Sequence, residues 1–414
     1  MRRRVVVTGL GVVAPNGIGK EEFWRANIEG RSGISLIEGF DATKLNTQIA
    51  GQIKSFTPSD YLPSDITKRT DRFVQLGTAA AKLAVADAAL DLAAYDRDNV
   101  GICVGSGSGG VSFHEEQIIV GIQKGLNKIP PSCLPKITAN AIASYISILF
   151  NVTGPNITIS NACASGTNAV GQAFRIIQNG EADIVIAGGA EAPITPFCFS
   201  AYSSLHVLSK RNDAPTEASR PFDRERDGFV IGEGGGMLVL EELNLARARG
   251  ARIYAEVIGY ASNSGAYHMV MPEPEGKDAA KVIAAALKDA DIKIEEIDYI
   301  NAHGTSTQAN DRLETKTIKE IFRKRAYNIP ISSTKSMIGH CIGAAGAIEA
   351  AVCSLALENN LIPPTINYRH ADPECDLDYV PNKARKARVN VALSNSFGFG
   401  NNNACIIMKK YREI

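Results

Sequence analysis

The sequence predicts an α/β protein with helices layered around a mixed sheet. Three observations carry this. Short β-branched runs alternate with alanine-rich amphipathic stretches. The strand runs are apolar on consecutive residues, as in Val5-Val6-Val7, which fits strands covered on both faces. With 414 residues and 45% hydrophobic content, the chain can bury a large core and is too long for one small domain.

Strands are expected at 4–8, 100–104, 156–160, 184–187, 237–240, 254–260, 299–302, 329–332 and 391–395, where Val, Ile, Thr and Tyr cluster. Helices are expected at 73–88, 166–179, 277–290, 312–322 and 343–359, where alanine and helical spacing dominate. The two halves echo each other. Ile157-Thr158-Ile159-Ser160 leads through Asn161-Ala162-Cys163 into a small-residue helix, and Ile329-Pro330-Ile331-Ser332 leads through Lys335 and His340 into another. The echo is faint: either it is chance, or it marks a duplicated unit joined near 243–252, with an N-terminal half at 1–250 and a C-terminal half at 251–414 and the site between them. No low-complexity linker separates them, so one compact body is expected.

Lys+Arg and Asp+Glu balance at 44 each, so no global field favours nucleic acid or membrane. No apolar run reaches a membrane span. Met1-Arg2-Arg3-Arg4 resembles the charged part of a signal peptide, but a strand pattern and glycines follow it instead of an apolar h-region. A cytoplasmic protein, or an organelle protein stripped of its transit peptide, is the expectation. The eight cysteines are scattered without a C-x-x-C pair, and Cys103, Cys353 and Cys405 read as core residues.

Two glycine patterns imitate dinucleotide fingerprints: Gly9, Gly11 and Ala14 after the first strand, and Gly105, Gly107 and Gly110 after the second. Pro15-Asn16-Gly17 breaks the helix the first would need, and no acidic residue closes a βαβ unit after the second. Both read as tight turns and close backbone packing, and no cofactor is expected.

Cys163 lies in Ser160-Asn-Ala-Cys-Ala-Ser-Gly166, at a strand-to-helix turn. A helix N-terminus favours a thiolate there, and the small neighbours leave room for substrate. The plain alternative is a buried structural cysteine. His303 lies in Asn301-Ala-His-Gly-Thr-Ser-Thr307, and His340 closes Ser332-Ser-Thr-Lys-Ser-Met-Ile-Gly-His340. Both stand at strand–loop–helix junctions, and Lys335 adds a cation that sets imidazole protonation. Zinc ligation by Cys163, His303 and His340 is the competing reading. Structural zinc sites usually show short paired spacings, which these three segments lack.

These blocks, with Ser219-Arg-Pro-Phe-Asp223, Arg226-Asp-Gly-Phe229, Pro363-Pro-Thr-Ile-Asn367 and Asn395-Ser-Phe-Gly-Phe399-Gly, resemble the signatures of the β-ketoacyl-[acyl-carrier-protein] synthase II family. The resemblance runs in order nearly from end to end. It implies the thiolase fold, with duplicated halves in five αβαβα layers, normally dimeric. It implies an acyltransferase catalysing decarboxylative Claisen condensation, extending a Cys163-bound acyl chain by two carbons from malonyl-carrier protein, in fatty acid biosynthesis. Backbone N–H groups of Cys163 and Phe399 would form the oxyanion hole, and His303 and His340 would hold the enolate oxygen. Lys335 would hold the histidines electrostatically, with Glu349 supporting; on residue type alone, Glu349 could equally be a helix-surface charge. Thr305 and Thr307 would bind pantetheine, Phe229 would line the decarboxylation pocket, and Phe399 with Gly400 would form the gate between the arm tunnel and the acyl pocket. Ser108 would lie in the acyl pocket. Lys68, Arg69 and Lys128 would dock acyl carrier protein. No metal is required, although Asn301, Glu349, Ser394 and Asn395 match residues holding a structural monovalent cation in some members.

The chain departs from that pattern in places. Gly398-Phe-Gly-Asn401-Asn402-Asn403 replaces Gly-Phe-Gly-Gly-Thr-Asn, Gly265 replaces an aspartate, and Ser108 replaces a bulky aliphatic residue. Asp65 and His206 replace basic residues. Asn310-Asp-Arg-Leu-Glu314-Thr resembles the ketosynthase subunit of type II polyketide systems. Polyketide or polyene synthesis with a chain-length-factor partner, as a heterodimer in place of a homodimer, is therefore the alternative. Chain-length factors lack the nucleophile, and degradative thiolases carry a second cysteine base and different motifs, so neither fits as well.

Overall fold

The computed structural model describes residues 2–412; Met1 of the basic start lies outside them. Its main sheet is built on β1 (Val5–Ala14), β2 (Val100–Gly105), β3 (Asn156–Ile159), β4 (Ile184–Glu191) and β5 (Gly234–Glu242). It continues with β6 (Ala255–Ser264), β7 (Tyr299–Asn301), β8 (Ile331–Ser332), β9 (Val391–Gly398) and β10 (Asn402–Lys409). The spatial order is β8-β7-β9-β10-β6-β1-β5-β4-β2-β3.

This order is one motif written twice. In the first half β2 runs parallel to β3 and β4, while β5 lies antiparallel between β4 and β1. In the second half β7 runs parallel to β8 and β9, while β10 lies antiparallel between β9 and β6. The halves meet where Val5–Val7 pair antiparallel with residues 255–257. The faint sequence echo is thus a repeat of topology.

Helix α1 (Arg72–Asp87) covers the outer face of the first half. Helices α2 (Ser165–Asn179) and α5 (Ala345–Asn359) pack together between the half-sheets, and α3 (Lys277–Ala290) with α4 (Gln308–Phe322) covers the second half. The result is the five-layer αβαβα stack. Its central apolar cluster joins Val170, Ala173 and Phe174 of α2 to Ile348, Ala351 and Leu355 of α5. Residues 342–359 are long and apolar enough to span a membrane, but 89% of that window is buried inside the protein. It is a core helix, apolar all round because both faces are covered.

Each predicted strand and helix is present, with shifted ends. β1 continues to Ala14 through Gly9 and Gly11, the glycines that imitate a fingerprint. A Cβ at Gly9 would lie 2.2 Å from the Ala84 carbonyl oxygen and one at Gly11 1.9 Å from that of Ala80. Those glycines let α1 approach the strand, the packing role expected of them. β10 escapes sequence prediction, since Asn402-Asn403 reads as a turn. Pairing on both edges, with β9 and β6, makes it a strand. The helix Val111–Lys124 is also missed.

Candidate active site

Both central helices begin from the same device. A three-residue 3-10 turn, Ala162–Ala164 or Ile342–Ala344, precedes α2 or α5. Each turn opens on a residue in the left-handed region, Ala162 at φ 48° and Ile342 at φ 42°. Positive φ on a β-branched residue is costly and persists only where the surroundings impose it. Both strained residues border Cys163: Ala162 precedes it, and Ile342 lines the same cavity. Cys163 therefore sits on a tight elbow at the head of a buried helix.

The structure brings Cys163, His303 and His340 together. His340 Nε2 lies 3.0 Å from Cys163 Sγ. The imidazoles of His303 and His340 meet edge to face, with centroids 5.3 Å apart. Phe229 packs edge-on against His340 at 5.5 Å, and Phe397 against His303 at 5.8 Å. The backbone N–H groups of Phe399 and of Cys163 itself favour the anion of the sulfur. A cavity opens over this centre, walled by Phe229, Ile342, Phe397 and Phe399, with Thr305 and Thr307 along it. The two threonine hydroxyls are 2.9 Å apart.

Burial governs the electrostatics. It pushes the Cys163 thiol up to about 12, against the opposing pull of Lys335 and the Phe399 N–H. Loss of hydration thus opposes the thiolate that a helix N-terminus and Lys335 favour. Burial holds both imidazoles well below their ordinary range, and the nearby Lys335 cation lowers them further. Lys335 is itself buried and ion-paired with buried Glu349. Glu349 is thus no helix-surface charge; burial raises its carboxyl to about 7 despite that lysine.

Asn301, Ser394 and Asn395 lie close behind the site on β7 and β9. Asn301 Oδ1, Ser394 Oγ, Asn395 Oδ1 and Glu349 Oε2 are buried without hydrogen-bond partners among the described residues. Gly400, at φ 77°, turns the chain after Phe399. Lys68, Arg69 and Lys128 are exposed. Ser108 is also exposed and lies outside the cavity lining; its N–H donates to Glu191.

Three further residues escape sequence reasoning. Glu314 accepts from the N–H groups of His303 and Gly304, both at 2.8 Å, and so fixes the histidine loop. Its signal is a pair of acids, Asp311 and Glu314, on the inward face of α4. Glu191 does the same in the first half, accepting from Gly107 at 2.6 Å, Ser108 at 3.0 Å and Gly343 at 3.0 Å. Its signal is an acid ending a fully buried strand. Tyr202 lines the cavity from a segment without any motif.

Comparison with known proteins gives the family. Residues 2–246 match the β-ketoacyl synthase N-terminal domain, and residues 254–369 match its C-terminal domain. The chain is 47% identical to 3-oxoacyl-[acyl-carrier-protein] synthase 2 of Synechocystis, covering 99% of each chain. It is 43% identical to the protein of that name from Coxiella burnetii, again over 99% of each. Among solved structures, the ishigamide ketosynthase/chain length factor superposes with TM-score 0.93 at 37% identity over 100% of both chains. A type II PKS ketosynthase bound to the hexaketide, in complex with its acyl-carrier protein, superposes at 0.92 with 37% identity over 100% of both. The fold, its duplicated five layers and these full-length matches agree: the chain belongs to the β-ketoacyl synthase family of condensing enzymes.

Proposed function

We propose that this protein is a β-ketoacyl-acyl-carrier-protein synthase, an acyltransferase joining a Cys163-bound acyl chain to malonyl-carrier protein with loss of carbon dioxide. The observation carrying this is the 3.0 Å contact of Cys163 Sγ with His340 Nε2, set beside a second neutral imidazole in one cavity. In the first step the sulfur attacks the carrier thioester, and the thiol proton passes through His340 Nε2 to the departing pantetheine sulfur. The N–H groups of Cys163 and Phe399 hold the tetrahedral oxyanion. In the second step the malonyl carbonyl oxygen accepts from His303 and His340 as carbon dioxide leaves. The resulting carbanion attacks the Cys163 thioester, and the thiolate departs.

Neutral imidazoles suit this work, since a neutral ring can donate without adding charge to the buried site. His340 acts in different tautomers in the two steps. Its Nδ1 has no protein partner among the described residues, so neither tautomer is locked. Lys335 keeps both rings neutral, Glu349 offsets the lysine charge, and Thr305 with Thr307 would meet the pantetheine arm. Phe229 would wall the decarboxylation pocket, and Phe399 with Gly400 would form the gate between the arm tunnel and the acyl pocket.

The four partner-free oxygens of Asn301, Glu349, Ser394 and Asn395 form an all-oxygen set that would hold a monovalent cation. Such an ion would supply charge balance and rigidity behind the histidines; no chemical step needs it. The halves at 1–250 and 251–414 would be the two copies of the duplicated unit. Eight free cysteines fit a reducing compartment, and the cytoplasm is the proposed location.

Acyl carrier protein is the proposed partner, docking at Lys68, Arg69 and Lys128, and a homodimer is the proposed assembly. Fatty acid elongation is the favoured pathway, from the names of the two relatives above. Polyketide or polyene synthesis beside a chain-length factor is the second reading, favoured by the type II structures above. Intact-mass measurement after incubation with a panel of acyl-carrier proteins tests the function. Acyl adducts on Cys163 support it; an unmodified Cys163 with every acyl group would refute it.

A further inference from the structure

Glu191 closes β4 and is fully buried, yet no cation pairs with it among the described residues. Its partners are donors from two separate segments. Oε1 accepts from the Ser106 hydroxyl at 3.2 Å and the Ser108 N–H at 3.0 Å. Oε2 accepts from the Gly107 N–H at 2.6 Å and the Gly343 N–H at 3.0 Å. One oxygen thus bridges the loop after β2 and the turn at the head of α5. A Cβ on Gly343 would lie 2.4 Å from the Gly107 nitrogen and 2.5 Å from Oε2. A Cβ on Gly107 would lie 2.9 Å from Oε2, 3.1 Å from Ile342 Cγ2 and 3.8 Å from Ala162 Cα. Gly107 therefore stands against the strained residue of each elbow: Ala162, which precedes Cys163, and Ile342, which closely follows His340. Its carbonyl also accepts from the Ser160 hydroxyl at 3.4 Å, at the entry to the Cys163 elbow.

A buried carboxylate without a counter-ion is costly, and this one persists because donors meet both its oxygens. Glutamine could not take its place silently, since in either orientation its amide NH2 would face a backbone N–H. The two histidines are anchored elsewhere. The His340 N–H donates to the Val230 carbonyl at 2.7 Å, and its carbonyl accepts from the Gly232 N–H at 2.9 Å. Glu314 holds the His303 loop. What Glu191 adds is the link between the Cys163 elbow and the helix head beside His340. We propose, resting on the condensing function above, that Glu191 is a positioning residue for the acylation step: its carboxylate clamps the two elbows together and so keeps Cys163 Sγ within proton-transfer reach of His340 Nε2. Malonyl decarboxylation depends on the imidazoles, whose places are set by other bonds. The clamp therefore serves the first step and not the second.

The test is Glu191→Gln, with Gly343→Ala as a second variant that keeps the charge and forces the bridge apart. Acylation of Cys163 by hexanoyl-carrier protein is followed by intact mass, and carbon dioxide release is followed with malonyl-carrier protein. Both variants should lose acylation rate at saturating carrier protein by on the order of a hundredfold, the cost of misplacing aligned groups by about 1 Å. KM for the carrier protein and the decarboxylation rate should stay close to the parent values. Parent acylation should be flat from neutral to mildly alkaline pH, because His340 takes the proton during attack. In the variants it should climb with pH, because the sulfur must ionise beforehand. A parental acylation rate in either folded variant overturns the proposal. Equal loss of acylation and decarboxylation with the parental pH profile also overturns it, since a purely structural residue would behave so. Absence of any Cys163 adduct in the parent would instead overturn the condensing function, and this inference with it. Melting temperature of each variant serves as the folding control.

Discussion

Cys163 and the two imidazoles share one buried cavity, and that burial makes the proton handling proposed for them testable. Cys163→Ala should abolish condensation and block alkylation of the site, checked by peptide mapping after treatment with a thiol alkylator; preferential labelling of Cys341 or Cys198 would contradict the assignment. His303→Ala should lose malonyl decarboxylation more completely than acyl transfer. The enolate oxygen needs both ring donors, whereas Cys163 keeps His340 as its proton acceptor. Separate assays of acylation and carbon dioxide release decide this. The pH dependence has a definite sign. Both imidazoles are depressed below the ordinary 6.5 in the folded protein. The unfolded chain therefore takes up protons first as pH falls. The stability contributed by neutral His303 and His340 is present above pH 6.5 and is lost as pH falls through lower values. Chemical denaturation at stepped pH should show it, with a shallower fall in His303→Phe.

At the scale of elements, the turn after β9 is tied to the segment 265–272, which forms part of the cavity wall. Asn401, at φ 53°, accepts from the N–H groups of Tyr267 and His268, both at 3.1 Å, and donates to the Met271 carbonyl at 3.0 Å. Gly400 N–H adds a bond to the Met269 carbonyl at 2.7 Å. Little else holds the segment's outer face, where Tyr267, Met269 and Met271 are exposed. The glycine at 265 belongs to this arrangement, since a Cβ there would meet the Asn401 Cβ at 2.9 Å and Asp278 Oδ2 at 2.2 Å. The two departures from the family pattern are thus one change. Asn401→Gly should release the segment, raising KM for carrier-bound substrate several-fold while leaving alkylation of Cys163 by a small reagent intact. Protease sensitivity confined to 265–272 would report the release. The ion pair between Glu349 of α5 and Lys335 of the short helix Lys335–Ile338 is a stability element. Lys335→Met leaves buried Glu349 unpaired and should cost about 3–5 kcal/mol in urea unfolding.

At the scale of the whole molecule, one face stands out. Ile118, Ile119 and Ile122 on the helix Val111–Lys124, with Leu126 and Leu134 beyond it, are exposed; Ile122 and Leu126 are each 79% accessible. Edge strand β3 ends the sheet in the same half. Such a patch is where a second subunit would sit. The protein should run as a dimer in analytical ultracentrifugation, and Ile122→Asp should shift it toward monomer. Ser108 precedes this helix, so its place in an acyl pocket would depend on the covering subunit. Ser108→Ile should shorten the longest accepted chain in the dimer only. Charge reversal at Lys68 and Arg69 should raise KM for carrier-bound substrate and flatten its salt dependence.

The sequence alone pointed to the α/β class, to an echo between the halves and to Cys163, His303 and His340 as candidates that the structure gathers in one cavity, because each is written locally. Buried strands are continuous apolar runs, elbows are small-residue turns, and Cys163, His303 and His340 sit in motifs readable without knowing what they touch. It missed β10, whose asparagines look like a turn until two neighbouring strands supply its hydrogen bonds. It also missed Glu191, Glu314 and Tyr202, whose meaning lies in partners far away in the chain. Only the tertiary structure decided the surroundings of the thiol. A helix N-terminus is a local feature that favours the anion, whereas burial, which opposes it, is set by every layer packed around it.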